Sequence, residues 1–579
     1  MKRRLVVVAL IVLPMIWLFD VRHPPSTPID YANATWVASY FGEYLREHWA
    51  FPVVLNDVHN AGIPSPGYYG YLLQPSAGVL SAFVGGDLAI RAILFGSFAF
   101  QQIQVYRAVV HITGRREFGI AALALVACEI YPMSELYQAG RVAEFVARAW
   151  LLSAACLWLQ CLSDGKLVRG RLLLLGLSLA IVFGTHPVHF VYGAGLTLVA
   201  MVLTFVAARD RLAFLRDAVV VGAAVLVVIA PWLYLLRFYA PTIVSVEIPV
   251  YANFDKWYVR LLPFPYSPPQ GFGPVDAQIS IPLLLVALAL GFGLFAALRN
   301  GDRTGRLEAI GAVVALLVAA ELFAVSVTWR AAAPLKVLFW TVQWVHRFVG
   351  FIDLLLFVAV CLLLLAYRRR GLEISKAGIG IGYVALAVAA ISFGAKLVES
   401  FPVPVPLEPG MTLLSDRAAL ITRSDTLLAN DYASKRGFAD ELPAGVSANV
   451  LALFPIGTGR SFGVPSPAVV GPVSGHVTAA LTDAIAHPWN RLAVNGRLVP
   501  LLQTYAVDAP LGGTPSQMTY GGVSQVFEGV LVTKPKTTIE LRTVPDPVWL
   551  WLRAVSLSVF ALWIALAVAL AITKRASDN

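Results

Sequence analysis

The stretch FVGFIDLLLFVAVCLLLLAYRRR, residues 348–370, decides the fold class of this chain. It has about twenty mostly apolar residues, which as a helix cross the roughly 30 Å hydrocarbon core of a bilayer. The arginines at its end mark the cytoplasmic side, because short cytoplasmic loops carry an excess of Lys and Arg. The stretch therefore predicts a transmembrane helix that runs from the outer face to the cytoplasm.

Similar apolar runs recur along the 579 residues, of which 58% are hydrophobic and 13% are charged. Soluble domains carry about 25% charged residues, so most of this chain is expected to lie in lipid. The sequence predicts an α-helical polytopic membrane protein with about twelve spans. The other runs are 5–19, 86–110, 118–133, 143–162, 171–185, 188–207, 217–236, 279–298, 307–328, 377–396 and 547–572.

The loops between these runs predict the orientation. Every second loop is rich in Arg and Lys, which places those loops and both termini in the cytoplasm of a cell bounded by its inner (plasma) membrane. The net charge of +10 is thereby a topology signal. No basic patch with interleaved aromatic residues is present, so nucleic acid is not an expected partner. The basic segments are 114–118, 166–171, 208–217, 299–306, 367–376 and 573–575.

The long segments on the outer face define the domains. Residues 1–396 are predicted to form a transmembrane module with a long first outer loop, 20–86. Residues 397–546 contain the strand-like stretches NVLALFP, VSQVFEGVLVT and TTIELRT between Gly, Pro and Asn turns, and they predict a β-rich extracytoplasmic domain. Residues 547–579 form the last span and a cytoplasmic tail.

Ionisable side chains in or beside membrane spans are expensive, so each is a candidate for function. Their positions within the runs place all of them in the outer half of the membrane, where one outward-facing site can use them together. They are Glu129, Glu135, Arg141, Glu144, Arg148, His186, His189, Glu321, Arg347 and Asp353.

Structural roles stay open for the same side chains. Arg141, Glu144 and Arg148 have the spacing of ion pairs within one helix. Arg347 is placed to extend its guanidinium to the interface. The deeper carboxylates are placed to pair with basic residues on neighbouring helices. Two histidines alone do not make a metal centre, and the sequence indicates no metal ligand set.

The first outer loop adds two carboxylates as catalytic candidates. Asp30 follows PPSTPI, and Asp57 lies in LNDVHNAGIPSPGYYGYL. Aspartates in loops are more often solvated or turn-forming, so this reading stays open beside the catalytic one.

Four stretches, taken in order, resemble the bacterial and archaeal membrane protein family labelled "6-pyruvoyl-tetrahydropterin synthase related", a group similar to GT-C glycosyltransferases. The resemblance spans about residues 1–400. It rests on FPVVLNDVHNAGIPSPGYYGYL (51–72) after Asp30, YQAGRVAEFVA (137–147), THPVH (185–189) and VQWVHRFVGF (342–351).

The resemblance implies a GT-C-like architecture and an enzyme that takes a sugar from a polyprenyl-phosphate carrier at the outer face. The acceptor is a glycan, a lipid or a protein. Asp30 matches the family's base, and Asp57 is the second catalytic candidate. Arg347, Arg141 and His186 are the candidates for binding the donor phosphate.

Supporting roles fall to Glu144, His189, Tyr68 and Tyr69. The lipid-linked sugar is a substrate, and no cofactor is implied with certainty.

Two other classes stay open: a transporter or lipid flippase, and a non-catalytic envelope-assembly protein. A transporter typically has inverted repeats and polar groups near the midplane, which this sequence does not show. If the chain is an assembly protein, its function should not depend on Asp30.

Overall fold

The fold is described from a computed structural model. It describes residues 2–20, 29–55, 67, 70–165, 169–208, 210–238, 277–298, 305–327, 347–400, 451–454, 468–470, 478–485, 489–498, 502–506, 526–532 and 537–578. Asp57, Tyr68 and Tyr69, three of the predicted site residues, lie outside these ranges. So does the side chain of Asp30, although its backbone belongs to a described helix.

The described residues of the first half form eight α-helices, one 3-10 helix and one π-helical turn. Left-handed glycines end two of the long helices, Gly114 at φ 71° and Gly165 at φ 64°. The helices are α1 (Lys2–Val12), α2 (Ile29–His48), α3 (Leu73–Val84), α4 (Gly86–Thr113), α5 (Arg116–Ala127), α6 (Ile130–Met133), α7 (Val142–Asp164) and α8 (Arg169–Thr185). A 3-10 helix follows α1 at Leu13–Phe19, and a π-helical turn follows α6 at Ser134–Gln138.

The described residues of the second half form seven more helices. Their composition is as apolar as that of the first-half helices. One of them begins at Pro187, a first-turn position where no helical hydrogen bond needs the N–H that proline lacks. They are α9 (Pro187–Ala207), α10 (Arg211–Phe238), α11 (Ile281–Leu298), α12 (Arg306–Val327), α13 (Phe348–Arg369), α14 (Lys376–Glu399) and α15 (Pro547–Asp578).

The protein is a helical, membrane-embedded polytopic protein, as the sequence predicts. Within the described residues, eight helices are long and apolar enough to cross a membrane: α4, α7, α9, α10, α12, α13, α14 and α15. The count becomes nine if α5 and the α6–π segment, bent by 47°, form one span. The prediction of about twelve full-length spans is therefore not supported.

The physical reason lies in four of the predicted runs. The run 5–19 divides at Pro14 into α1 and a 3-10 helix, and the run 118–133 breaks at Cys128 and Glu129. The runs at α8 and α11 form apolar helices that are too short by themselves to span. An apolar run thus predicts an apolar helix more securely than it predicts a complete crossing of the membrane.

Helices α7 and α13 lie at the centre of the bundle, and nearly every side chain of α13 is buried. Helix α13 packs on α11, α12, α4 and α7. These contacts bury a continuous apolar core that includes Phe351, Phe357 and Leu152. The polar side chains that α7 and α13 carry are therefore held by rigid, well-packed helices.

Eight short strands are described between 451 and 543. They form two four-stranded sheets, with strand orders β1-β3-β7-β6 and β2-β8-β4-β5. Only the β1–β3 pair is parallel among the described pairs. The strands are β1 (Leu451–Phe454), β2 (Ala468–Val470), β3 (Thr478–Ile485), β4 (Asn490–Val494), β5 (Arg497–Leu498), β6 (Leu502–Ala506), β7 (Val526–Val532) and β8 (Thr537–Thr543).

Most of residues 397–546 lies outside these strands and outside the described residues, so the β-rich domain stays a prediction. The β4–β5 hairpin closes through Asn495 and Gly496, both at positive φ, as a two-residue turn requires. Trp489, beside β4, packs on Trp549 of α15 with ring centroids 4.7 Å apart. This contact joins the strands to the last helix.

Candidate functional site

A cluster of buried charged side chains lies at one end of the bundle, which we call the polar end. It forms where α7, α9 and α13 begin and where α5 breaks into α6. Three parts of the chain that are far apart in sequence, 129–148, 186–189 and 347–353, thus supply its groups. The cluster consists of Glu129, Glu135, Arg141, Glu144, Arg148, His186, His189, Arg347 and Asp353.

Glu144 is the centre of the part nearest the surface. Its carboxylate lies 3.3 Å from Arg141 Nη1, contacts Arg347 Nε directly and lies 3.5 Å from His186 Nε2. The Glu144 side chain is 2% exposed, whereas those of Arg141 and Arg347 are 13% and 15% exposed. Two guanidinium groups from different helices therefore converge on one buried carboxylate, at an edge that solvent can reach.

Arg148 belongs to a second, deeper group. Its Nε donates to Glu135 Oε2 at 3.1 Å, and its Nη1 lies 3.7 Å from Glu129 Oε2. The expected ion pair within one helix is thus present between Arg141 and Glu144, while Arg148 binds carboxylates from the preceding segment instead. The sequence spacing alone gave no way to distinguish these partners.

The π-helical turn positions Glu135 for this contact. Extra residues in such turns push a side chain out of helical register, and these turns are frequent at functional sites. The amide of Arg141 donates to the Glu135 carbonyl at 3.0 Å, and Gly140 at φ 67° lets the chain reverse into α7. The Tyr137 hydroxyl donates to the Pro14 carbonyl at 2.8 Å and ties the turn to the start of the chain.

A small cavity lies beside Arg148, with room for about one water molecule. Its polar lining comes from Glu129, Arg148, His189 and Asp353, and its apolar lining includes Phe351. His189 packs on the Phe351 ring with centroids 5.1 Å apart. The cavity lining therefore combines charged and apolar side chains.

Two close contacts fix the shape of this cavity. Asp353 Oδ1 accepts a hydrogen bond from the amide of Ser280, the residue before α11, at 2.7 Å. A Cβ atom at Gly350 would lie 3.0 Å from Cδ of Arg148, so a glycine lets α13 approach α7 closely there. Asp353 is thus hydrogen-bonded at a helix N-terminus, and it also lines the same cavity as Arg148, a basic residue on the neighbouring helix α7.

His186 and His189 flank Pro187, and their Nδ1 atoms lie 3.2 Å apart. The proline starts α9, so the two rings stand on the first turn and face each other. Among the described residues, no three His, Cys, Asp or Glu side chains are grouped so that they could hold a metal ion. The pair is suited to hydrogen bonding along a chain of groups.

The start of α2 is placed near the same end. Tyr31, next to Asp30, shares an apolar cluster with Val142 and Phe145 of α7. Its hydroxyl donates to Asp87 Oδ1 at 2.7 Å, and Asp87 lies 2.6 Å from Arg91. Burial, followed by the Asp87 carboxylate, raises the pKa of the Tyr31 phenol well above its usual value. The phenol therefore remains a neutral donor that anchors the first turn of α2.

Glu321 lies apart from the cluster. It is exposed on α12, and no described ion pair joins it to the polar end. Glu129, Glu135, Arg148 and Asp353 were recognised in the sequence as costly charges but were given no role in binding or catalysis. The sequence does not show that these four side chains are neighbours. The structure does, because it brings the break before α6 and the start of α11 close to α7 and α13.

The arrangement can do two things chemically. Its exposed edge can bind an anionic group through two guanidiniums, and its interior can hold and pass protons through imidazoles and carboxyl groups. No protein-family model, no curated protein and no solved structure matches this chain. The functional argument therefore rests on the chemistry of the cluster.

Proposed function

We propose that the protein is a membrane glycosyltransferase that moves a sugar from a polyprenyl-phosphate donor to an acceptor glycan, lipid or protein on the outer face of the membrane. One observation carries the proposal: Arg141 and Arg347 converge on Glu144 at an edge where both guanidiniums remain partly exposed. Arg is the side chain best suited to bidentate binding of a phosphate.

The position of Glu144 supports a role as an organiser of this phosphate site. A guanidinium has five N–H donors, more than one shared carboxylate can accept. Glu144 therefore holds both arginines in place, and their partly exposed guanidiniums face an edge that a ligand can approach. Donors that are oriented in advance stabilise a leaving phosphate without reorganisation during the reaction. His186 Nε2 lies 3.5 Å from Glu144 and helps to hold this carboxylate in place, so the buried His186 is a weaker candidate than the two arginines for contact with the phosphate.

The base assigned in the proposal is Asp30, with Asp57 as the second candidate. A carboxylate near the acceptor hydroxyl takes its proton as the sugar carbon is attacked, and the sugar configuration is inverted. Tyr31 and the apolar cluster around it place the first turn of α2 near the start of α7. This neighbourhood supports a base and a phosphate site that act on the same substrate.

The proposal includes the finer topology. Twelve crossings require α1, the α5–α6 pair, α8 and α11 to complete the eight long helices in a GT-C-like bundle. Both termini are then cytoplasmic in the inner (plasma) membrane, and residues 397–546 form a β-rich outer domain that faces the acceptor. The end of the bundle opposite the cluster gathers Arg171, Arg368 and Arg369, which agrees with this orientation.

The test uses the full-length protein in lipid nanodiscs with a panel of polyprenyl-phosphate sugars. We expect Asp30→Asn to abolish turnover while donor binding survives. Arg141→Lys and Arg347→Lys keep the charge but lose the bidentate geometry, so donor binding should weaken at least about tenfold, or about 1.4 kcal/mol.

Arg115→Lys is the matched control, because Arg115 is exposed at the opposite end of the bundle. It should leave binding and turnover unchanged. Unchanged turnover in Asp30→Asn would move the base to Asp57. Absence of binding across the whole donor panel would refute the glycosyltransferase proposal.

A further inference from the structure

The deeper part of the cluster has an excess of carboxyl groups. Within the described residues, three of them surround the single guanidinium of Arg148, and all four side chains are buried. Ionising all three would leave more negative than positive charge away from water, which is unfavourable without a compensating partner. At least one carboxyl group therefore needs a proton or another cation. The three are Glu129, Glu135 and Asp353.

Two of the three carboxylates have partners that stabilise the ionised form. Glu135 receives the Nε–H of Arg148 at 3.1 Å. Asp353 receives the Ser280 amide at 2.7 Å, at the start of α11, where the helix dipole favours negative charge. Glu129 has a weaker position, because its nearest described cation, Arg148 Nη1, is 3.7 Å away. That distance is too long for a hydrogen bond.

The cavity supplies an independent sign of a ligand at this place. Arg148 is 5% exposed, and its Nη2 has no hydrogen-bond partner among the described residues. Arg148, Glu129 and His189 all line the cavity, which has room for about one water molecule. A water there can accept from Arg148 Nη2 and connect the Glu129 carboxyl group to the His189 ring.

Hydrogen-bond logic fixes the direction of the imidazole pair. His186 Nε2 faces the Glu144 carboxylate, which only accepts, so Nε2 carries the proton. His186 Nδ1 is then an acceptor, and the 3.2 Å contact makes His189 Nδ1 the donor. In a neutral imidazole this leaves His189 Nε2 as an acceptor. His189 and Glu129 both line the cavity, so a water molecule in it can connect this acceptor with the Glu129 acid.

We propose that Glu129 is a proton-binding site, connected to the surface edge of the polar end through His189, His186 and Glu144. In one transfer, the Glu129 O–H bond breaks and its proton reaches His189 Nε2. The Nδ1 proton of His189 moves to His186, and the Nε2 proton of His186 moves to Glu144. Glu129 ends as a carboxylate and Glu144 as an acid, so one proton has moved and the charges balance.

The groups that face Glu129 favour a proton over a metal cation. They are Arg148 from α7, His189 from α9 and Asp353 from α13, with Glu135 held on the far side of Arg148. A fixed positive guanidinium in a cavity of this size repels a second cation. The proposal is independent of sugar transfer, since it needs no donor or acceptor.

The first experiment is infrared difference spectroscopy of the full-length protein in nanodiscs at neutral pH. We expect a protonated-carboxyl band in the wild type that Glu129→Gln removes and Glu129→Asp shifts. The Asp variant separates loss of the proton from loss of the fold. The matched control is Glu321→Gln, which changes an exposed carboxyl group on α12 and should leave the band in place.

The second measurement follows the exchange of this band in D2O. Replacing His189 by Leu should slow the exchange at least tenfold, whereas His111→Leu, at the opposite end of the bundle, should not change it. The proposal is overturned if the band survives Glu129→Gln, or if Asp353→Asn alone removes it. It is also overturned if Na⁺ abolishes the band, or if the band of the His189→Leu variant exchanges in D2O at the wild-type rate.

Discussion

The two ends of α7 carry the same kinds of side chains in opposite surroundings. At the polar end, the side chains of Glu144 and Arg148 are 2% and 6% exposed. At the other end, which we call the basic end, Asp164 is 24% exposed and lies 2.7 Å from His111 and 2.5 Å from Arg171. Both ends contain close ion pairs, so distance does not separate them. The difference is burial, since the polar-end carboxylate is almost completely enclosed and the basic-end carboxylate is not.

The difference teaches where charge matters in this protein. Ion pairs that water can reach contribute about 0–1 kcal/mol, because solvent screens them and their side chains lose entropy. A buried pair contributes little net stability while intact, but removing one partner leaves an unpaired charge that costs about 3–5 kcal/mol. The polar end is thus costly to maintain and intolerant of change. Such a cost is expected of functional sites in membranes.

The largest expected effect tests this contrast directly. Arg148→Met removes the cation shared by Glu135 and Glu129, and we expect it to destabilise the protein by about 3–5 kcal/mol. Arg171→Met at the basic end should cost about 0–1 kcal/mol. Unfolding of both variants by denaturant in mixed micelles measures the difference.

The double variant Arg148→Met/Glu135→Gln provides the control. It removes the Glu135 carboxylate, which Arg148→Met alone leaves unpaired, so the double variant should be less destabilised than the single one. High salt should weaken the basic-end pairs and leave the polar end unchanged. If Arg148→Met and Arg171→Met lower the free energy of unfolding equally, the proposed difference between the two ends is wrong.

A smaller effect is expected from packing at the polar end. Gly350→Val places side-chain atoms where a Cβ already lies 3.0 Å from Arg148, and we expect a loss of about 1–3 kcal/mol. Gly382→Val on α14 is the matched control, because a Cβ there meets nothing within 4 Å. The same unfolding measurement compares them. A cost at Gly350 no greater than at Gly382 would show that α7 and α13 tolerate separation.

The smallest effect concerns Tyr31, which anchors α2 through Asp87. Tyr31→Phe removes one hydrogen bond and should cost about 1 kcal/mol at neutral pH. Because the folded pKa of Tyr31 is raised above its unfolded value of about 10, its contribution is complete below pH 10 and is lost as pH rises beyond it.

The stability gap between wild type and Tyr31→Phe should therefore narrow above about pH 10. Thermal unfolding at several pH values on both sides of pH 10 measures this gap. A gap that is constant across the range would mean that Tyr31 does not titrate with folding. A control at the basic end, Arg171→Met, should show no such narrowing in this window.

Much of the candidate site was visible in the sequence as a set of costly charges. Arg141, Glu144, His186 and Arg347 were each marked by an ionisable side chain beside an apolar run, and the structure brings all four together. Their partners were not visible. The pairing of Arg148 with Glu135 depends on a π-helical turn, and the hydrophobic periodicity of the sequence does not predict such a turn.

The sequence by itself determined the membrane-embedded helical class and marked most of the ionisable residues that gather at the polar end. Hydropathy and the distribution of Lys and Arg are local properties, so a window of about twenty residues contains them. Only the tertiary structure decided which apolar runs form complete helices, which carboxylates share Arg148 and how the two histidines face each other. The two histidines are three residues apart, but their environment and the sharing of Arg148 depend on contacts between different helices. Burial, rather than spacing along the sequence, sets the energies of these contacts.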